Sequence, residues 1–134
     1  MREILFRGKR VDNKRWVQGY LSFVYWDVPE KARIYSPDEV RGFDVITETV
    51  GQYTGLTDKN GTRIFEGDIL EGDLEDNLEP GAKWRSEVIW GKFGWNCKEN
   101  KISLPMDEFD ICEGEVIGNI HDNPELLKGS AKNE

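Results

Sequence analysis

Residues 52–70, QYTGLTDKNGTRIFEGDIL, are interrupted so often by turn chemistry that no helix of three turns fits among them. Asp58-Lys59-Asn60-Gly61 predicts a tight turn, because Asn and Gly accept the positive φ that other residues resist. Glu66-Gly67-Asp68 predicts a second reversal, after which Ile69 and Leu70 enter a strand. The short apolar runs between these breaks suit strands, and the same grammar extends in both directions along the chain.

Upstream, Ile4–Gly8 reads as a first strand and Asp12-Asn13-Lys14 as a turn. Residues 16–24 alternate well enough for a second strand, with Trp16, Gln18, Tyr20, Ser22 and Val24 on one face and Val17, Leu21 and Phe23 on the other. Short strands are expected next at Arg33–Tyr35, Phe43–Ile46 and Thr49–Tyr53, and Ser36-Pro37 could open a single helical turn reaching Arg41. Downstream, strands are expected at Asp68–Glu71, Trp84–Trp90, Trp95–Lys98, Ile102–Leu104 and Glu115–Ile120. An acidic loop from Gly72 to Gly81 separates the first two. Asn123-Pro124 predicts a capped helical turn, and residues 128–134 a fraying tail.

Many short strands with frequent Gly and Pro turns specify an all-β protein. At 134 residues the chain buries roughly two-thirds of its unfolded surface and needs no staple to fold. Its five strands after residue 50 and their long first loop suit a small SH3-like barrel. The expected layout is an N-terminal β sub-lobe over residues 1–50, the barrel over 51–127, and the tail.

With VIGNIHDNPELL at 116–127 and REILFR at 2–7, the QYTGL, DKNG and EGDI pieces make the chain resemble the YopX family of phage and prophage proteins. The resemblance touches both ends and the middle. It implies a similar barrel-type architecture and an accessory role in a phage, prophage or related mobile element.

The formal net charge of −8 argues against a general electrostatic grip on nucleic acid or an anionic membrane. The charge is unevenly spread. Residues 1–16 carry Arg2, Arg7, Lys9, Arg10, Lys14 and Arg15, whereas residues 65–80 carry seven acids and no base. No signal-peptide pattern and no membrane-length apolar run is visible, so a soluble protein of the bacterial cytoplasm is expected. Cys97 and Cys112 have neither a disulfide framework nor a zinc spacing, and are expected as reduced, buried thiols.

Candidate chemistry is sparse. Aligning Gly61 with the glycine of a calcium loop puts Leu56 and Gly67 at ligand positions, which excludes an EF-hand. Asp58, Asn60 and Gly61 are therefore turn residues, and Glu66, Gly67 and Asp68 form a second turn at which the two acids are expected to bond nearby backbone N–H groups. His121 is the only histidine, and no nucleophile elbow or phosphate-binding Gly loop accompanies it. No catalytic, metal or cofactor site is expected.

The candidate binding surface is Arg7, Lys9 and Arg10 together with Lys92, Trp95, Lys98 and Lys101, where basic and aromatic residues interleave. The same interleaving arises when strands bury aromatics and expose lysines. The expected function is thus a non-enzymatic protein-interaction module, its partner a host or phage protein or a second copy. A nucleic-acid-binding module built on the basic N-terminus and strands 84–101 is the alternative.

Overall fold

The structure, a computed structural model, describes residues 4–24, 31–38, 41–73, 81, 83–91, 94–99, 102–105 and 114–127. The acidic segment 74–80, Lys92, Lys101, Cys112 and the tail from 128 lie outside the described residues. The described chain is all-β, in two antiparallel sheets with one 3₁₀ turn and a short helical turn at 125–127. It forms two compact units, Met1–Gly55 and Leu56–Glu134.

In the first unit, β1 (Phe6–Lys9), β2 (Trp16–Val24), β3 (Lys31–Ser36) and β4 (Arg41–Val45) run as a meander. A 3₁₀ turn at Thr47–Thr49 then leads into β5 (Gly51–Thr57), which pairs with β1 and runs on past the unit boundary. The strand order is β4-β3-β2-β1-β5. Strand β2 occupies the predicted residues with the predicted alternation of faces. Tyr20 lies opposite Tyr35, Leu21 opposite Ile34, and Ser22 opposite Arg33.

The meander curls back on itself at one end. Arg10 bridges to Val45, Val11 N–H donates to the Asp44 carbonyl at 3.0 Å, and Ile46 N–H donates to the Lys9 carbonyl at 2.8 Å. The concave face buries Ala32, Ile34 and Val45, with Phe6, Val17, Leu21 and Val50 packed against them. Curvature this tight needs a strand without a side chain at its closest approach. A Cβ on Gly19 would sit 2.1 Å from the Tyr35 carbonyl oxygen.

Among the described residues no helical turn opens at Ser36. Ser36 pairs directly with Arg41, so hairpin pairing between β3 and β4 outweighs the local Ser-Pro signal.

The second unit begins with the end of β5 and β6 (Arg63–Phe65). It continues through β7 (Asp68–Asp73), β8 (Lys83–Gly91), β9 (Gly94–Glu99), β10 (Ile102–Pro105) and β11 (Glu115–Asn119). The last five form a sheet in the order β10-β9-β8-β7-β11. Among the described residues no ladder joins β10 to β11, so the closed SH3-like form expected here does not appear as a pairing, while the all-β class holds. Ile64, Leu70 and Val88 are fully buried, and Leu56, Trp84, Trp95, Cys97 and Val116 pack around them. Strand β11 carries a bulge between Val116 and Gly118 where it pairs with β7.

Candidate functional site

Asp58 accepts hydrogen bonds from three backbone N–H groups. Its Oδ1 accepts from Asn60 N–H at 2.8 Å and Thr62 N–H at 2.9 Å, an arrangement that Asp adopts naturally at a turn. Its Oδ2 reaches across the unit to accept from Val116 N–H of β11 at 2.9 Å. Burial alone would push the carboxyl up, but the three N–H bonds and the Lys59 charge together hold it below its ordinary range. The turn is completed by Gly61, at φ +82°, whose N–H donates to the Asp58 carbonyl at 3.0 Å. Asn60 Nδ2 donates to Glu115 Oε2 at 3.1 Å. The DKNG piece is thus a clasp between a turn and the last strand.

The EGD reversal works similarly. Gly67 takes φ +91°, and the fully buried Asp68 accepts from Phe65 N–H at 2.7 Å. Glu66 beside them is half-buried.

The VIGNIHDNP piece is an asparagine-centred turn. Asn119 Oδ1 accepts from the N–H groups of His121 at 3.0 Å and Asp122 at 2.9 Å. Asn123, predicted to cap the helical turn, instead aims its side-chain oxygen back at Asn119 N–H, at 3.4 Å. Its carbonyl accepts from Leu126 N–H. Arg85 pins the short helical turn, donating to Glu71 Oε2 at 2.8 Å and to the Leu126 carbonyl at 3.1 Å. His121 is half-buried beside Asn119, with Nε2 lying against Gly67.

Among the described residues no group of three or more His, Cys, Asp or Glu side chains converges to hold a metal, and no helix is long and apolar enough to cross a membrane.

The residues of the candidate binding surface fall in different settings. Trp95 is half-buried against the core of the second unit and meets Trp90 edge-on, ring centroids 4.8 Å apart. Trp90, rather than Trp95, is the exposed ring of that pair, at 62%. Lys98 is exposed and lies opposite Glu87, whose carboxyl is raised by burial against the opposing pull of Lys98. Lys92 and Lys101 are outside the described residues. Cys97 is a free thiol, but it is half-buried rather than buried as expected, because it packs at the margin of the Ile64–Leu70–Val88 core.

In the first unit, Arg10 is bonded to Asp12 through both carboxylate oxygens, and its guanidinium stacks 4.2 Å from the Phe43 ring centroid. Arg7 and Lys9 instead point to the opposite, convex face. The Arg7 guanidinium lies 4.6 Å from the Trp16 ring centroid, and Lys9 Nζ lies 5.9 Å from it.

Register places more aromatics on this convex face. Trp16, Gln18, Tyr20 and Ser22 of β2 share it with Arg33 and Tyr35 of β3 and with Gly42 and Asp44 of β4. Tyr20 and Tyr35 are 59% and 41% exposed. The Tyr35 ring lies over Gly42, where a Cβ would come within 2.7 Å of Cε1. Arg33 Nε donates to Asp44 Oδ1 at 2.8 Å, and Asp44 first, then Tyr35, holds the guanidinium above its ordinary range. Sequence alternation signalled Trp16 and Tyr20 on one face. Tyr35 came into view only with the β2–β3 register.

The charge is also partitioned. Residues 1–55 carry nine Lys or Arg against eight Asp or Glu, and residues 56–134 carry nine against eighteen.

No curated protein matches the sequence. Among solved structures, protein EF1440 from Enterococcus faecalis is similar over 95% of this chain and 99% of its own, at 24% identity and a TM-score of 0.58, which shows a shared fold. The YopX protein family matches residues 5–128, a span that takes in the DKNG, EGD and VIGNIHDNP turns, and the chain belongs to that family.

Proposed function

We propose that this YopX-family chain is a non-enzymatic binding protein, an accessory factor of a phage or prophage that acts in the host cytoplasm by holding a macromolecule. The observation that carries this reading is a contrast in how side chains are used. Asp58, Asn119 and Asn123 commit their side-chain oxygens to backbone N–H groups, and Asp68 commits its Oδ2, which is structural work. The large exposed rings Tyr20 and Tyr35, by contrast, stand side by side on one sheet face. Exposed aromatics flanked by arginine are the usual anchors of binding surfaces.

Two partner classes suit such a face. The acidic overall charge favours a protein. The grouping of cations with rings on the convex face favours a single nucleic-acid strand. The module reading is tested by affinity capture from bacterial lysate, with and without nuclease, using wild type and Tyr20→Ala/Tyr35→Ala. The expected result is specific material held by wild type and lost by the variant. Identical capture by both proteins, or none by either, refutes a binding role for this face.

A further inference from the structure

We infer that the convex face of β1–β4 is a stacking platform for single-stranded nucleic acid. The inference rests on the binding-module reading and narrows it to one ligand class.

Three rings lie on this face: Trp16 and Tyr20 on β2, and Tyr35 opposite Tyr20 on β3. Trp16 and Tyr20 are four residues apart on one strand, about 13 Å at the usual rise per residue. Tyr35 adjoins Tyr20 at cross-strand distance, so the rings form a path along β2 that turns onto β3. The cations line the same path. Lys9 lies beside Trp16, whose ring also packs against the Arg7 guanidinium with its buried Nε, and Arg33 shares strand β3 with Tyr35. Asp44 is the only carboxylate on this face among the described residues of β1–β4, and Arg33 neutralises it.

An aromatic row bordered by Lys and Arg is the arrangement that base stacking with phosphate contact requires. A duplex hides its base faces, so the platform selects single strands. A net charge of −8 is no obstacle, because nine of the negative charges in excess belong to residues 56–134 and residues 1–55 are near neutral.

The test is fluorescence anisotropy with labelled oligothymidylate and oligouridylate of about twenty nucleotides, longer than the roughly 4–16 that a small β-module covers. A duplex of equal length is the control, over a salt series from about 50 mM. Wild type is expected to bind single strands at least about tenfold tighter than duplex, and the two single-strand arms separate DNA from RNA. Tyr20→Ala/Tyr35→Ala should lose about 30-fold or more, whereas Tyr20→Phe and Tyr35→Phe should retain binding, since a stacked ring is worth roughly five- to hundredfold. Lys9→Gln should lower the salt slope by about 0.7, one phosphate contact. Both tyrosines are exposed, so the variants keep the fold, and an unchanged unfolding midpoint verifies it. No single-strand binding by wild type at low salt overturns the inference and leaves the face to a protein partner. Binding that survives loss of both rings overturns it as well.

Discussion

Replacing Asp58 with alanine removes one acceptor group from three backbone donors at once. The donors are not equivalent. Asn60 and Thr62 are exposed at the turn, so water takes over most of their hydrogen bonding, at about 0.5 kcal/mol each. Val116 N–H belongs to a half-buried strand, and leaving it without an acceptor costs about 1–3 kcal/mol. The sum is about 2–4 kcal/mol, a large part of the stability of an ordinary domain. Urea unfolding at pH 7 should show the midpoint falling by about 1–2 M. The pH dependence carries a second signature. The folded carboxyl lies below the ordinary value of 3.8, so its contribution is complete above that value and is lost as pH falls through the folded pKa. The gap between wild type and Asp58→Ala should therefore stay constant from pH 8 to about 5 and close only below about 4. An unchanged midpoint, or a gap that already closes between pH 7 and 5, would refute the clasp.

Two further substitutions probe the backbone. Gly61→Val places a β-branched residue at φ +82° with no neighbour within 4 Å, so conformational strain alone should cost about 1 kcal/mol or more. An unaltered urea midpoint would remove the turn assignment. Gly19→Ala must push β2 from β3, because its Cβ would meet the Tyr35 carbonyl rather than a yielding side chain, and about 2 kcal/mol or more is expected. A thermal midpoint indistinguishable from wild type would mean that the strands do not approach this closely.

What could be read from the residues depended on the range of the interaction. Local chemistry was legible. The Trp16–Val24 alternation gave both the strand and its two faces, and Asn60-Gly61 marked a turn whose glycine does take positive φ. Competition between local signals and long-range pairing was not. Ser36-Pro37 looks like a helix start, yet Ser36 is drawn into the ladder with Arg41. Asn123 looks like a helix cap, yet its side chain serves Asn119, and nothing in its neighbours reveals that Gly118 leaves room for this. The third partner of Asp58 lies 58 positions away, and the curl of the first unit depends on a bridge between Arg10 and Val45. The aromatic face was half legible for the same reason. Alternation places Tyr20 beside Trp16 on one face, but only pairing brings Tyr35 next to Tyr20. Trp95, singled out by its basic neighbours, is half-buried because β9 turns it toward Ile64, Leu70 and Val88.

If the working surface is the convex face of the first unit, the turns built by Asp58 and Asn119 serve only the fold. Amide chemical-shift mapping of the labelled protein, titrated with unlabelled oligothymidylate, tests this residue by residue. Shifts should concentrate at Lys9, Trp16, Tyr20, Arg33 and Tyr35, with Asp58–Gly61 and Asn119–Asn123 unmoved. Shifts confined to Trp90, Trp95 and Lys98, or centred on the Asp58 and Asn119 turns, would contradict it.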